Sequence, residues 1–225
     1  MNKSIFVTGT GTDVGKTYVC GLLAKYFKEA GYDCGYYKPV LSGAIRKGKN
    51  LIAGDCEFVI KSANLNQEPL KSSSYIFEEA VSPHLAAKNS NTVIDKNKIL
   101  SDAQAKAQQF LIIEGAGGIT CPLSMEPTPY LMADLIKDLD INIIIVADAG
   151  LGTINSTLLT VEYAKNRGIK TVGIILNNYV YNNKMYEDNI RVIETLCNVP
   201  IIGLVEKNSK NINTHRFELA KIFED

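Results

Sequence analysis

The sequence has no charge bias, because 24 Lys and Arg residues face 24 Asp and Glu residues in a chain of 225. A polyanion-binding face is therefore not expected, nor is nucleic acid as the main partner. No apolar run approaches the ~20 residues that a membrane span requires. The chain starts directly on the strand-like "SIFVT" without a basic-then-apolar leader, so neither export nor insertion is expected. No C-x-x-C pair joins Cys20, Cys34, Cys56, Cys121 and Cys197, and an odd, scattered set argues against a disulfide framework. A reducing cytoplasm is the expected compartment. Repeats, linkers and low-complexity segments are also absent, which leaves one domain over residues 1–225 as the expected organisation.

What is present is an alternation of short β-branched runs and longer helical patterns. Strands are expected at Ser4 to Thr8, Gly35 to Lys38, Phe110 to Glu114, Ile141 to Ala147, Thr171 to Leu176 and Pro200 to Leu204. Runs that are apolar on both faces suit a buried parallel sheet with helical crossovers. Helices are expected at Thr17 to Ala30, Ile94 to Gln108, Ile154 to Arg167 and Lys184 to Cys197, with Gly31 and Gly168 stopping two of them. The predicted fold class is α/β, a doubly wound and mostly parallel sheet flanked by helices. Residues 64–91, rich in Ser, Asn and Pro, read as loops and short helices around that sheet. The polar, glycine-containing stretch "LSGAIRKGKNLIAGD" reads as a loop.

The most informative stretch is "VTGTGTDVGKT", Val7 to Thr17. A strand, a glycine-bearing loop and a Gly-Lys-Thr opening a helix are the context of a phosphate-binding loop. The usual glycine position is taken here by Thr10, and Gly9 lies one residue too early. In such a loop backbone N–H groups hold phosphate oxygens, Lys16 bridges them, and Thr17 offers its hydroxyl to Mg²⁺. Asp13 is unexpected there, since a carboxylate beside phosphate is repelled unless it points elsewhere. A glycine-rich turn that merely caps a helix is the competing description of the segment.

Glu114 closes the apolar strand "QFLIIE" and is followed by Gly115-Ala116-Gly117-Gly118, at the strand edge where open α/β sheets bind ligands. Asp55, in "AGDCEF", is open to two readings, a metal ligand or a helix cap. Lys38, in "GYYKPVLSG", is either a cation aimed at the same edge or a solvated strand end. Ser42 in that turn has backbone bonding as its ordinary use. His84 follows Pro83 in "SPHLAA", and capping or packing accounts for it better than a role as catalytic base.

Taken together, "GTGTDVGKT", "YKPVLSG", "SPHLAA", "EGAGG", "LGTINS" and "LNN" resemble, in order, the motifs of the dethiobiotin synthetase family. That resemblance, running from Val7 to about Asn178, implies a P-loop enzyme. Its expected reaction closes a cyclic urea on 7,8-diaminopelargonic acid with CO₂, a nucleoside triphosphate and Mg²⁺. It implies Thr17, Asp55 and Glu114 as the Mg²⁺ set, with Lys38, Lys16, Thr12 and Ser42 carrying the chemistry. Nucleotide contacts are implied at Asp13, Val14, Gly15, Lys16, Thr17, Tyr18, Asp55, Glu114, Gly115, Ala116, Gly117 and Asn177, the last reading the base. Diamine contacts are implied at Thr12, Lys38, Ser42 and Gly118, and at Leu151, Gly152, Thr153, Ile154 and Asn155 from the second subunit of a homodimer. Ignoring the resemblance, Thr153 reads as an ordinary helix cap.

The family's proline-containing adenine loop after the last strand is replaced here by Val205, Glu206 and Lys207 in "PIIGLVEKNSKN". That departure predicts weaker ATP selectivity and raises GTP as an alternative co-substrate, since a carboxylate accepts from guanine's N–H groups. Two other readings compete. A cobyrinate-type synthetase needs a glutaminase segment, which two histidines, His84 and His215, and no nucleophile-elbow cysteine do not provide. A partitioning ATPase carries an early lysine in the loop where this chain has Gly11.

Overall fold

The computed structural model describes residues 3–214 and 219–223; His215 lies outside them. Six strands form one sheet: β1 (Lys3–Gly9), β2 (Cys34–Tyr37), β3 (Phe110–Glu114), β4 (Ile143–Asp148), β5 (Thr171–Tyr179) and β6 (Ile201–Glu206). Their order is β6-β5-β4-β1-β3-β2, and every neighbouring pair is parallel. The interior strands are nearly pure Ile, Val, Leu and Phe because helices cover both faces. One face packs Ile5, Val7, Ile112, Ile144 and Val146 against Val19, Leu23 and Phe27. The other packs Phe6, Ile113, Ile143 and Ile145 against Met132, Leu135 and Ile136. The chain passes from β1 to β2 and β3 on one side, then to β4, β5 and β6 on the other. This reversal opens a crevice at the C-terminal ends of β1 and β3.

Among the described residues seven α-helices complete the layers: α1 (Lys16–Glu29), α2 (Gly54–Ser62), α3 (Pro83–Asn89), α4 (Lys96–Gln104), α5 (Met132–Leu139), α6 (Thr153–Asn166) and α7 (Lys184–Cys197). Gly31 and Gly168 follow α1 and α6 at φ 87° and 69°, left-handed positions that end a helix without a Cβ penalty. Asp95 caps α4 by accepting from Asn97 N–H at 2.9 Å, so that helix starts later than Ile94. It also ends before residue 108, because Gln109 leaves the helix to accept from Lys3 N–H at 3.0 Å at the base of the sheet.

Helix α5 was not anticipated, although Met132, Leu135, Ile136 and Leu139 have helical spacing. The Pro-rich "EPTPYL" before it masks the start, which Asp134 secures by accepting from Leu131 N–H at 2.7 Å. The stretch read as a polar loop contains an antiparallel hairpin, Ile45–Lys47 with Asn50–Ile52, turning at Gly48. Within residues 64–91, Tyr75–Phe77 pairs in parallel with Val40–Ser42. No helix among the described residues is long and apolar enough to cross a membrane.

Candidate active site

Between the end of β1 and Lys16 the loop is tied to the sheet below it. Thr10 N–H donates to the Val146 carbonyl at 3.0 Å, and the Lys16 ammonium donates to the Gly11 carbonyl at 2.8 Å. A Cβ on Gly9 would stand 2.8 Å from Val14 Cγ2, whereas one on Gly15, at φ 88°, would collide with the Asn177 amide. Thr10 is tolerated because positive φ falls on Asp13 and Gly15 instead. Helix α1 begins without a side-chain cap or an acidic residue in its first turn. Its open amides and positive dipole end suit a phosphate.

A cleft of about 910 Å³ lies over this loop. Three elements bring carboxylates and hydroxyls to its floor. Glu114, fully buried at the end of β3, accepts at Oε1 from Thr17 Oγ1 (2.7 Å) and from Lys38 Nζ (2.6 Å). Its other oxygen, Oε2, accepts from the Tyr36 hydroxyl at 2.6 Å. Lys38 Nζ also donates to Asp55 Oδ2 at 2.5 Å. The ammonium therefore bridges two carboxylates, one from β3 and one from the first turn of α2.

Burial alone would depress the Lys38 ammonium, but Glu114 and Asp55 outweigh it and hold the group above the ordinary lysine range. Lys16 shows the opposite balance: burial keeps it below the ordinary value, against the pull of Glu114. The two lysines thus sit in one cleft in different electrostatic states. Together with Thr17, the carboxylate pair forms a hard-oxygen donor set that already holds a cation, which fits Mg²⁺. Among the described residues no group of three His, Cys, Asp or Glu residues could hold a metal. Mg²⁺ usually takes one or two carboxylates and completes its shell from phosphate and water.

Most of the expected residues meet here. Thr12, Asp13, Gly15, Lys16, Thr17, Tyr18, Lys38, Ser42, Asp55, Glu114, Ala116 and Gly117 all line the cleft. Val14 presents its carbonyl to Asn177 Nδ2 at 3.0 Å, leaving the buried Asn177 Oδ1 without a partner. Gly115 is buried, with its N–H on the Val7 carbonyl at 3.0 Å, and Gly118 packs against the Gly9 carbonyl; neither lines the cleft. Asp55 makes no cap, so its side chain is free for the ion pair.

Leu151, Gly152, Thr153, Ile154 and Asn155 are not brought to the cleft. Leu151 is 94% exposed, and Gly152 rather than Thr153 is the N-cap of α6, without a side-chain cap. Thr153 is buried and pairs with Thr157 Oγ1 at 3.4 Å. His84 lies in the first turn of α3 outside the cleft lining, with Nδ1 buried and unpartnered among the described residues. Glu206 is exposed at the end of β6 and does not line the cleft, and Val205 is core.

Sequence reasoning missed Tyr36, Phe58 and Cys121. Tyr36 was detectable, because it lies two residues before Lys38 and strand periodicity places both on one face. Phe58, on α2, stacks on Tyr18 with ring centroids 5.9 Å apart at the cleft wall, and Cys121 forms the opposite lining.

A phosphate loop at the switch point of a parallel sheet defines a P-loop nucleotide-binding protein. A family model described as an AAA domain matches residues 3–214. The solved cell division protein FtsY of Thermotoga maritima shares the fold, with a TM-score of 0.54 at 17% identity over 100% of this chain and 68% of its own. Two curated relatives from Clostridium botulinum are both called ATP-dependent dethiobiotin synthetase BioD. One, from strain Alaska E43, is 43% identical, and the other, from strain Eklund 17B, is 42% identical; each match covers 100% of this chain and 99% of the relative. The chain belongs to the dethiobiotin synthetase family.

Proposed function

We propose that this chain closes the cyclic urea of dethiobiotin from 7,8-diaminopelargonic acid, CO₂ and ATP. The observation that carries this reading is the Lys38 ammonium, held between Asp55 and Glu114 beside a phosphate loop in one cleft. One amine captures CO₂ as a carbamate, whose oxygen attacks the γ-phosphorus and releases ADP. The second amine then attacks the resulting carbamic-phosphoric anhydride and expels phosphate.

Two anions must approach each other in the phosphoryl step. Unit charges ~4 Å apart repel by roughly 4 kcal/mol at an effective dielectric of 20. Lys16 and Lys38 offset that repulsion, the first on the phosphates and the second where carbamate and γ-phosphate meet. Thr12 and Ser42, both on the cleft wall, orient the carbamate and diamine. Thr17, Asp55 and Glu114 would hold Mg²⁺, which when bound neutralises the β- and γ-phosphates. Asn177 is the proposed base-reading residue; its Nδ2 is committed to Val14, and its buried Oδ1 has no partner among the described residues. The name of the relatives supports ATP over GTP.

The exposed start of α6, which has no side-chain cap, is read as the binding place for the substrate carboxylate of a neighbouring subunit, which makes the active unit a homodimer. Incubation with diamine, bicarbonate, Mg²⁺ and ATP, followed by mass analysis, tests the reading. Cyclic urea formed in step with ADP supports it. Hydrolysis of ATP without that product would leave a nucleotide switch as the better description.

A further inference from the structure

We propose that Tyr36 is a positioning residue for metal binding, fixing the orientation in which Glu114 faces the cleft. This inference rests on the reading of Glu114 as part of the Mg²⁺ site. Three donors converge on that carboxylate: Thr17 and Lys38 both address Oε1, and Tyr36 addresses Oε2. Among the described residues only the Tyr36 hydroxyl holds the far oxygen, so it determines the rotation of the carboxylate about its last bond.

The tyrosine can serve as a reference point because the strand that carries it is held on both edges. On one side it pairs in register with Ile112 of β3. On the other, where β2 is the outermost strand, Gln67 Oε1 accepts from Tyr36 N–H at 2.8 Å and Gln67 Nε2 donates to the Tyr36 carbonyl at 3.1 Å. The ring is fully buried among α1, α2 and β3. Its hydroxyl carries one proton, which the 2.6 Å contact commits to Glu114 Oε2.

Tyr36→Phe keeps the ring volume and deletes the donor. Glu114 Oε2 then lacks a strong partner and turns toward Lys38, which lies against Oε1. A carboxylate shared by both oxygens with an ammonium presents less charge to a divalent ion. Loss of such an outer partner typically costs about 10-fold or more in metal affinity.

The test measures Mn²⁺ binding by electron paramagnetic resonance with a non-hydrolysable ATP analogue bound, in wild type, Tyr36→Phe, Glu114→Gln and the double variant. We expect Mn²⁺ affinity to fall about 10-fold in Tyr36→Phe. Metal-free nucleotide affinity should change less than about twofold, a readout that a general packing defect would move as well. In the Glu114→Gln background the tyrosine substitution should add nothing further, since the group it positions has lost its charge. Weakened Mn²⁺ binding in Glu114→Gln with unchanged binding in Tyr36→Phe overturns the proposal alone. Unchanged binding in both removes Glu114 from the metal site, and the underlying reading falls with it.

Discussion

Thr17 and Glu114, ninety-seven residues apart in sequence, meet at 2.7 Å, hydroxyl to carboxylate. This contact links the phosphate loop to the neighbouring strand β3, so the first helical turn of α1 cannot shift without moving the carboxylate. It also aims the Thr17 lone pairs into the cleft, since its proton is committed to Glu114.

Lys38→Ala should lower kcat by about 1,000-fold or more while leaving ATP affinity within about threefold, because its charge acts where the two anions meet. It also strands a fully buried Glu114. Breaking such a buried pair costs about 3 to 5 kcal/mol, so the melting temperature should fall too. Assays run well below that temperature, with folding checked by circular dichroism, separate the two effects. Near-normal turnover would remove Lys38 from the chemistry.

Mixing two inactive proteins tests the shared site. If Asn155 at the start of α6 serves the neighbouring subunit's cleft, Lys38→Ala and Asn155→Ala chains should complement each other after subunit exchange. One site in a mixed dimer then carries both native residues. Recovery of activity in verified heterodimers is the expected result; its absence assigns every site residue to one chain.

Thiol labelling should separate the cysteines by position. Burial pushes Cys34 and Cys56 up to about 12 and raises Cys20 as well. At pH 8 a thiol at that value is ionised about once in ten thousand, so these three should resist iodoacetamide in the native protein. Cys121 and Cys197 are partly exposed and should react first. ATP should protect Cys121, which lines the cleft, and leave Cys197 unaffected. Peptide mass mapping reads this directly, and equal protection of both would contradict the cleft assignment.

Alkaline pH should destabilise the fold. Between the ordinary thiol value of 9.0 and the folded value of about 12, the folded chain keeps protons on Cys34 and Cys56 that the unfolded chain releases. The unfolding free energy therefore falls as pH rises through that window. Each of these thiols costs on the order of 2 to 3 kcal/mol by pH 11. Lys16 and Lys106, both held below their ordinary values by burial, act with the opposite sign but are two groups against several. Urea melts at pH 8 and pH 10.5 should show the drop, and flat stability across that range would refute it.

The sheet was largely legible in the sequence, because a strand buried on both faces has to be apolar throughout and turn residues mark its ends. All six expected strands formed, most with ends shifted by one to three residues. Glu114 was legible for the same reason, since a carboxylate has no packing use at the end of "FLIIE". What stayed hidden was pairwise. Nothing local in "AGDCEF" says whether Asp55 caps α2 or meets Lys38, and only the α1–α2 packing decides it. The spacing of Tyr36 to Lys38 gives its face of the strand, but its partner Glu114 is fixed only by the pairing of β2 with β3. The start of α6 kept its sequence description as an open helix end, but a single chain places it away from the cleft.

The Gln67 amide against β2 has a consequence of another kind. An outermost strand offers a row of unpaired N–H and C=O groups on which a second chain can build. Here the side-chain amide imitates a neighbouring peptide unit at Tyr36, donating and accepting where a foreign strand would attach. The short, four-residue β2 is thereby closed to strand addition at its centre. In the folded chain a single glutamine side chain thus occupies the edge positions at Tyr36 that a foreign strand would need.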